Sequence, residues 1–125
     1  MEYSTLDKLG VRVSRLGFGC MRFPLTAEGK IDEPRAAAML DTAYKAGVTY
    51  YDTAYFYHQH TGEAFLGRAM KRYPRDTFYL ATKMPMSIVE SLDHAKEIFE
   101  GQLAALQTDY VDFYLLHAVN GERWK

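Results

Sequence analysis

A single cysteine, Cys20, excludes an intrachain disulfide and fits a reducing compartment. There is no surplus of basic charge: the formal net charge is -1, which gives no field for nucleic acid or anionic lipid. No apolar run approaches the length of a membrane span. Glu2 lies where a signal peptide would need a basic and then an apolar region, so the cytoplasm is the expected location. Low-complexity tracts, charge blocks and internal linkers are missing too, so the chain reads as one unit. The partner expected is a small molecule, with neither nucleic acid nor membrane.

What is present is apolar and aromatic. Hydrophobic residues make up 48% of the chain and aromatic residues 14%, enough for one modest domain to bury a core. The central stretch runs Val48, Thr49, Tyr50, Tyr51, Asp52, Thr53, Ala54, Tyr55, Phe56, Tyr57. Its β-branched and aromatic residues lead into one carboxylate, the pattern of a buried strand delivering Asp52 at its C-terminal end. Residues 78–83 end similarly on Lys83, and residues 110–117 on His117. Three strands that each finish on an ionisable group predict a shared site at one rim of a parallel sheet.

The remaining segments fit that sheet. Tyr3–Thr5 and Val11–Ser14 read as a hairpin turning at Gly10 and lying over the sheet as a lid. Leu16–Met21 supplies a first strand whose glycines allow close approach of a backbone or ligand. Gly17 and Gly19 do not make a dinucleotide fingerprint, because Arg22 replaces the third glycine and no helix opens there. Asp32 caps a helix over 35–46 that Gly47 ends, and Ala36, Leu40, Ala43 and Tyr44 share one face. A second helix runs from about Gly62 to Arg72, with Ala64, Phe65, Leu66, Ala69 and Met70 on its apolar side. A third, over 91–106, is expected to bury Leu92, Ala95, Ile98, Phe99, Leu103 and Leu106. Strands alternating with helices predict parallel pairing and right-handed crossovers.

Side-chain parity narrows the architecture. If Asp52, Lys83 and His117 face one side, then Val48, Tyr50, Tyr79, Ala81, Val111, Phe113 and Leu115 line that side beneath them. Polar groups crowning an apolar stack are built this way in a (β/α)8 TIM barrel, which needs roughly 250 residues and eight strands. Four strands in 125 residues predict the first half of such a barrel, with an N-terminal hairpin.

Several motifs carry a family resemblance. They are Asp52-Thr53-Ala54 with Tyr57 following, Ala81-Thr82-Lys83, Asp109-Tyr110-Val111-Asp112, and Tyr114-Leu115-Leu116-His117. Together they resemble the N-terminal half of an aldo-keto reductase over nearly the whole chain. Gly17–Pro24 resembles a bacterial branch whose longer members often carry a C-terminal iron-sulfur domain, which implies iron-sulfur clusters in a part beyond this chain. Two departures are Gln107, where relatives often place glycine, and Tyr51, where phenylalanine is common. On this reading residues 1–125 form a partial barrel domain, truncated after the fourth strand. The family's strands five to eight, which hold the phosphates of the dinucleotide, lie outside it.

The resemblance implies a catalytic tetrad of Asp52, Tyr57, Lys83 and His117 and a cofactor, NADPH or NADH. Reducing an aldehyde or ketone builds negative charge on oxygen, so a placed proton donor and hydrogen-bond donors are required. Tyr57 is the implied proton donor, the Lys83 ammonium favours its phenolate form, and Asp52 orients Lys83. His117 donates to the same carbonyl oxygen. Gly19, Cys20, Met21 and Asp52 are expected beside the nicotinamide ribose, with Arg22 reaching an anionic group, while Cys20 by its residue type reads as a small buried hydrophobe. Two other readings compete. His58 and His60 form a His-x-His pair that, with Asp52 or His117, could serve a metal-dependent barrel hydrolase. A non-catalytic half-barrel with open sheet edges is expected to self-associate, as a homodimer or higher oligomer.

Overall fold

The computed structural model describes residues 1–121, so the expected domain boundary at Lys125 lies outside the described residues. A two-stranded antiparallel hairpin, β1 (Tyr3–Leu6) and β2 (Val11–Ser14), comes first. Next are β3 (Gly17–Gly19), α1 (Glu33–Lys45), β4 (Tyr50–Asp52), α2 (Gly62–Met70), β5 (Tyr79–Met84), α3 (Leu92–Leu106) and β6 (Phe113–Leu116). The strands β3, β4, β5 and β6 form one parallel sheet in sequence order. This is a partial (β/α) barrel.

Helix ends follow local chemistry. Asp32 Oδ1 accepts the Arg35 N–H at 3.2 Å to open α1, and Ser91 Oγ accepts the His94 N–H at 3.1 Å to open α3. Gly47 takes a left-handed φ of 88° just past α1. Gln107 adopts the same region, φ 54°, at the C-cap of α3, so an ordinary residue fills a glycine-type position. Gly67 is required by packing: a Cβ there would lie 2.6 Å from the carbonyl oxygens of Ala105 and Leu106, where α2 crosses the end of α3.

The core lies between the sheet and its helices. Leu40 of α1, Phe65 and Leu66 of α2 and Leu106 of α3 meet Tyr51 and Leu80 of the sheet; each large apolar side chain buried this way contributes roughly 1.5–3 kcal/mol. On the opposite, barrel-side face, the Phe113 ring lies 5.2 Å from Tyr50 and 6.2 Å from Tyr79, the inward stack that parity predicts. Gly17 belongs beside them, since a Cβ there would sit 3.2 Å from the Tyr50 ring.

Parity fails at two ends. Val48 and Val111 pack into the helix-side core, not into the inward stack. Both precede regular pleat: Val48 donates its N–H to Ala43 O at 3.0 Å, and β6 begins only at Phe113. Leu92 is also not buried; it is 73% exposed, in the first turn of α3 before the buried stripe Ile98, Gln102, Leu106 begins.

The hairpin closes the N-terminal end of the strands. Ser14 and Thr49 exchange two side-chain to backbone hydrogen bonds of 2.9 Å, and Tyr3 Oη donates to Gly47 O at 3.1 Å. It therefore lies at the opposite end of β4 from Asp52. No helix among the described residues is long and apolar enough to cross a membrane.

Candidate active site

The register sets the rim. Gly19 pairs with Asp52, Asp52 with Ala81 and Ala81 with Phe113, so these residues share one level of the barrel wall. Lys83 projects from the next inward position of β5, level with Leu115. Its ammonium donates to Asp52 Oδ1 at 2.6 Å, to the Thr53 carbonyl at 2.7 Å and to Tyr57 Oη at 3.3 Å. All three donors of the ammonium are thus engaged by the strand and loop beside it. The Lys83 and Asp52 side chains are 12% and 29% exposed, which places the pair in a partly desolvated setting where it is screened less than a surface pair. Just past β6, the His117 N–H donates to Met84 O at 2.9 Å, and its ring meets the Tyr57 ring edge-on at 6.1 Å. Asp52, Tyr57, Lys83 and His117 converge at one rim.

Tyr57 stands at the start of a tight loop. His58, Gln59 and His60 all have left-handed φ values, 53°, 54° and 67°, each costing an L-residue about 1–2 kcal/mol. The loop then returns on itself, Gly62 N–H donating to Tyr57 O at 3.1 Å. A Cβ on Gly62 would lie 3.0 Å from that oxygen. Strain of this kind persists where surrounding structure over-determines it, and it clusters at functional sites.

The His-x-His pair is divided by the same loop. The His58 ring stacks on Phe23, and its Nε2 lies 3.1 Å from Cys20 O and 3.4 Å from the Phe23 N. The His60 ring instead meets Tyr55 and Phe56 edge-on. Among the described residues no three His, Cys, Asp or Glu groups converge as a metal site.

Of the residues expected beside a cofactor, Gly19 has open space where a Cβ would stand, directly across the ladder from Asp52. Met21 and Arg22 are exposed in the short turn that follows β3. Cys20 is different. It is fully buried in the core, and burial, with the Asp52 charge adding, pushes its thiol well above the usual range. Its backbone carbonyl faces His58 Nε2 at 3.1 Å.

Residues not expected from the sequence stand behind β5. Glu63 and Gln102 are buried among the apolar residues of α2 and α3 and meet Thr82 on the helix face of the strand. Glu63 Oε1 accepts from Thr82 Oγ1 at 2.5 Å and from Gln102 Nε2 at 2.7 Å. Tyr114 Oη donates to Gln102 Oε1 at 2.6 Å, and burial pushes this phenol up to about 12. Burial likewise raises the Glu63 carboxyl. A signal existed: Gln102 sits in register between Ile98 and Leu106, and Glu63 lies three residues before Leu66, so both polar residues fall on apolar stripes.

A four-stranded wall with this rim defines half of a (β/α) barrel, and comparison with known proteins gives its family. The Aldo/keto reductase family profile matches residues 15–123, and the chain belongs to that family. The chain is 34% identical to the aldo-keto reductase YhdN of Bacillus subtilis over 125 residues, covering 94% of this chain and 38% of the relative. Among solved structures it is similar to aldo-keto reductase AKR11C1 from Bacillus halodurans in its holo form, with TM-score 0.76, 35% identity and coverage of 92% and 40%. An aldo-keto reductase from Klebsiella pneumoniae in complex with NADPH gives TM-score 0.77, 28% identity and coverage of 94% and 40%. The chain therefore spans about two fifths of the length of these relatives. The comparisons support the family and not the iron-sulfur branch.

Proposed function

We propose that residues 1–125 form the N-terminal half of an NAD(P)H-dependent aldo-keto reductase barrel that reduces aldehydes or ketones. The observation that carries this reading is the Lys83 ammonium held between Asp52 Oδ1 at 2.6 Å and Tyr57 Oη at 3.3 Å. Open space at Gly19 beside Asp52 suits close approach of a ribose, and the NADPH complex of the Klebsiella relative supports the cofactor class. When bound, a reduced nicotinamide supplies the hydride. This chain supplies the proton and the electrostatics. Tyr57 Oη donates its proton to the carbonyl oxygen as negative charge builds there. The Lys83 ammonium stabilises the charge left on Tyr57 Oη, Asp52 and the Thr53 carbonyl hold that ammonium in place, and His117 orients the carbonyl from across the rim.

The test is Tyr57→Phe in a complete barrel containing this half. Carbonyl reduction should be mostly lost while NADPH binding, read by fluorescence, stays near the parental value. Near-parental turnover with chemistry rate-limiting would reject the proton-donor role.

A second reading is that the 125-residue chain alone is a self-associating half-barrel and not a working reductase. Its support is apolar exposure along the sheet edges: Leu16 before β3 is 62% exposed and Leu116 at the end of β6 is 51% exposed. Hydride transfer also depends steeply on holding donor and acceptor in register, and half a wall is poorly suited to that. Light scattering over a dilution series should show salt-insensitive association. A monomer that binds NADPH tightly and reduces a simple aldehyde would overturn this reading. A reducing cytoplasm suits the buried, unpaired Cys20 thiol.

A further inference from the structure

His58 has no part in the chemistry above, yet its ring joins two separate parts of the rim. Its backbone follows Tyr57 directly and opens the run of three left-handed residues. Its carbonyl is held there by Thr61, which donates its N–H at 3.1 Å and its Oγ1 hydroxyl at 2.7 Å. The ring leaves this loop and reaches the turn Cys20–Arg22 that follows β3. It stacks on Phe23 with ring centroids 5.5 Å apart, and the buried Phe23 meets Phe65 of α2 edge-on at 5.0 Å. Nε2 lies 3.1 Å from Cys20 O and 3.4 Å from Phe23 N. One ring nitrogen serves one of these at a time: carrying its hydrogen it donates to Cys20 O, and without it accepts the Phe23 N–H. Both partners flank the same turn, so the link holds in either tautomer. The side chains of Cys20 and Phe23 are buried while Met21 and Arg22 between them are exposed. Such packing fixes the ends of the turn without direction, whereas a hydrogen bond is directional. The ladder between β3 and β4 ends with Gly19 paired to Asp52, and His58 continues hydrogen bonding between the two segments beyond it.

We propose that His58 is a positioning residue that ties the turn from Cys20 to Phe23 to the loop carrying Tyr57, so that the cofactor beside the turn and the proton donor in the loop are held in one register. Hydride transfer depends steeply on that register. The part concerning cofactor rests on the reductase reading, whereas the tether itself does not. His60, the other member of the His-x-His pair, turns to Tyr55 and Phe56 and has no share in the tether.

The experiment compares two variants of the complete barrel that contains residues 1–125. His58→Phe keeps a ring to stack on Phe23 and loses the nitrogen, whereas His58→Gln loses the ring and keeps an amide that can donate to Cys20 O or accept from Phe23 N–H. His58→Phe should raise the NADPH Kd, read by fluorescence, by about fivefold, the scale of one net hydrogen bond. His58→Gln should stay within about twofold of the parent, and the KM for a simple aldehyde should change by less than about twofold in both, because the carbonyl meets Tyr57 and His117 and not the turn. A His58→Phe barrel that binds NADPH as the parent does, or a His58→Gln barrel as weak as His58→Phe, overturns the proposal. If His58→Phe does not fold, the parent decides: the ¹⁵N resonance of His58 Nε2 should shift as NADPH is titrated in, and a resonance that saturation leaves in place overturns it. A parent barrel that binds no NADPH and reduces no aldehyde sinks the reductase reading. The tether is then read by amide hydrogen exchange over residues 20–23, which should be faster in His58→Phe than in the parent and in His58→Gln; equal exchange in all three overturns the tether as well.

Discussion

Arg75→Met should remove a brace at the end of the sheet away from the rim. The guanidinium donates to Thr108 Oγ1, Phe78 O and Tyr110 O at 3.0 Å each and to Asp112 Oδ2 at 2.7 Å, and it lies 3.9 Å over the Tyr110 ring. These contacts join the start of β5 to the loop between α3 and β6. A net 0.5–1.5 kcal/mol is typical of about one such bond. The Arg75 side chain is 24% exposed, so water replaces part of the loss and the lower end of that range applies. The ring contact adds roughly 0.5–1 kcal/mol. Four bonds at that end and the ring contact give a total destabilisation of about 2.5–3 kcal/mol, a large share of the roughly 5–15 kcal/mol that holds a typical domain folded. Urea unfolding should show a midpoint lower by roughly 1–2 M at unchanged slope. Arg68→Met is the control: its pair with Glu33 is half exposed on both sides and should contribute at most about 1 kcal/mol. An Arg75→Met chain within about 0.5 kcal/mol of the parent, the range of ordinary surface substitutions, would refute the brace.

Gly67→Ala should destabilise by about 1–2 kcal/mol in urea unfolding. The new methyl meets backbone of α3 at 2.6 Å, and overpacking of this kind outweighs the roughly 1 kcal/mol gained in helix propensity. Gln107→Gly should stabilise by about 0.5–1 kcal/mol, read in the same assay. It relieves a left-handed φ of 54° and gives up only a long 3.3 Å contact from Lys71. Glu63 gives a pH dependence of definite sign. Burial raises its folded-state pKa above the ordinary 4.5, so between the two values the folded chain binds more protons than the unfolded one. Stability from this group is therefore full below about 4.5 and falls as pH rises through the folded value. Glu63→Gln should flatten that slope in urea unfolding measured across the interval.

Much of the fold was legible because it is local. Asp32 and Ser91 cap helices through bonds that span three residues, and helical spacing marks the apolar stripes of α1, α2 and α3. Period-two alternation within β4, β5 and β6 was enough to send Asp52 and Lys83 to one face of the wall, and the motif spacing carried the family. Alternation stopped being informative where the pleat stopped. Val48 and Val111 lie just outside regular strands, and their facing was decided by the helices they meet. The reach of Lys83 to Asp52, Thr53 and Tyr57 depends on how far β5 is staggered past β4, a quantity that pairing sets and neither strand encodes alone. Glu63, Gln102 and Arg75 make the same point through separation in the chain. Glu63 and Gln102 stand 39 residues apart, and Arg75 reaches Asp112 across 37. By itself the sequence determined the elements, their order along the chain and which polar groups stand at the strand ends, because backbone sterics, capping and periodicity act within a few residues. Only the tertiary structure decided which buried polar groups answer one another behind the strands, because a carboxyl or guanidinium removed from water must find its partner in space, wherever the chain happens to bring one.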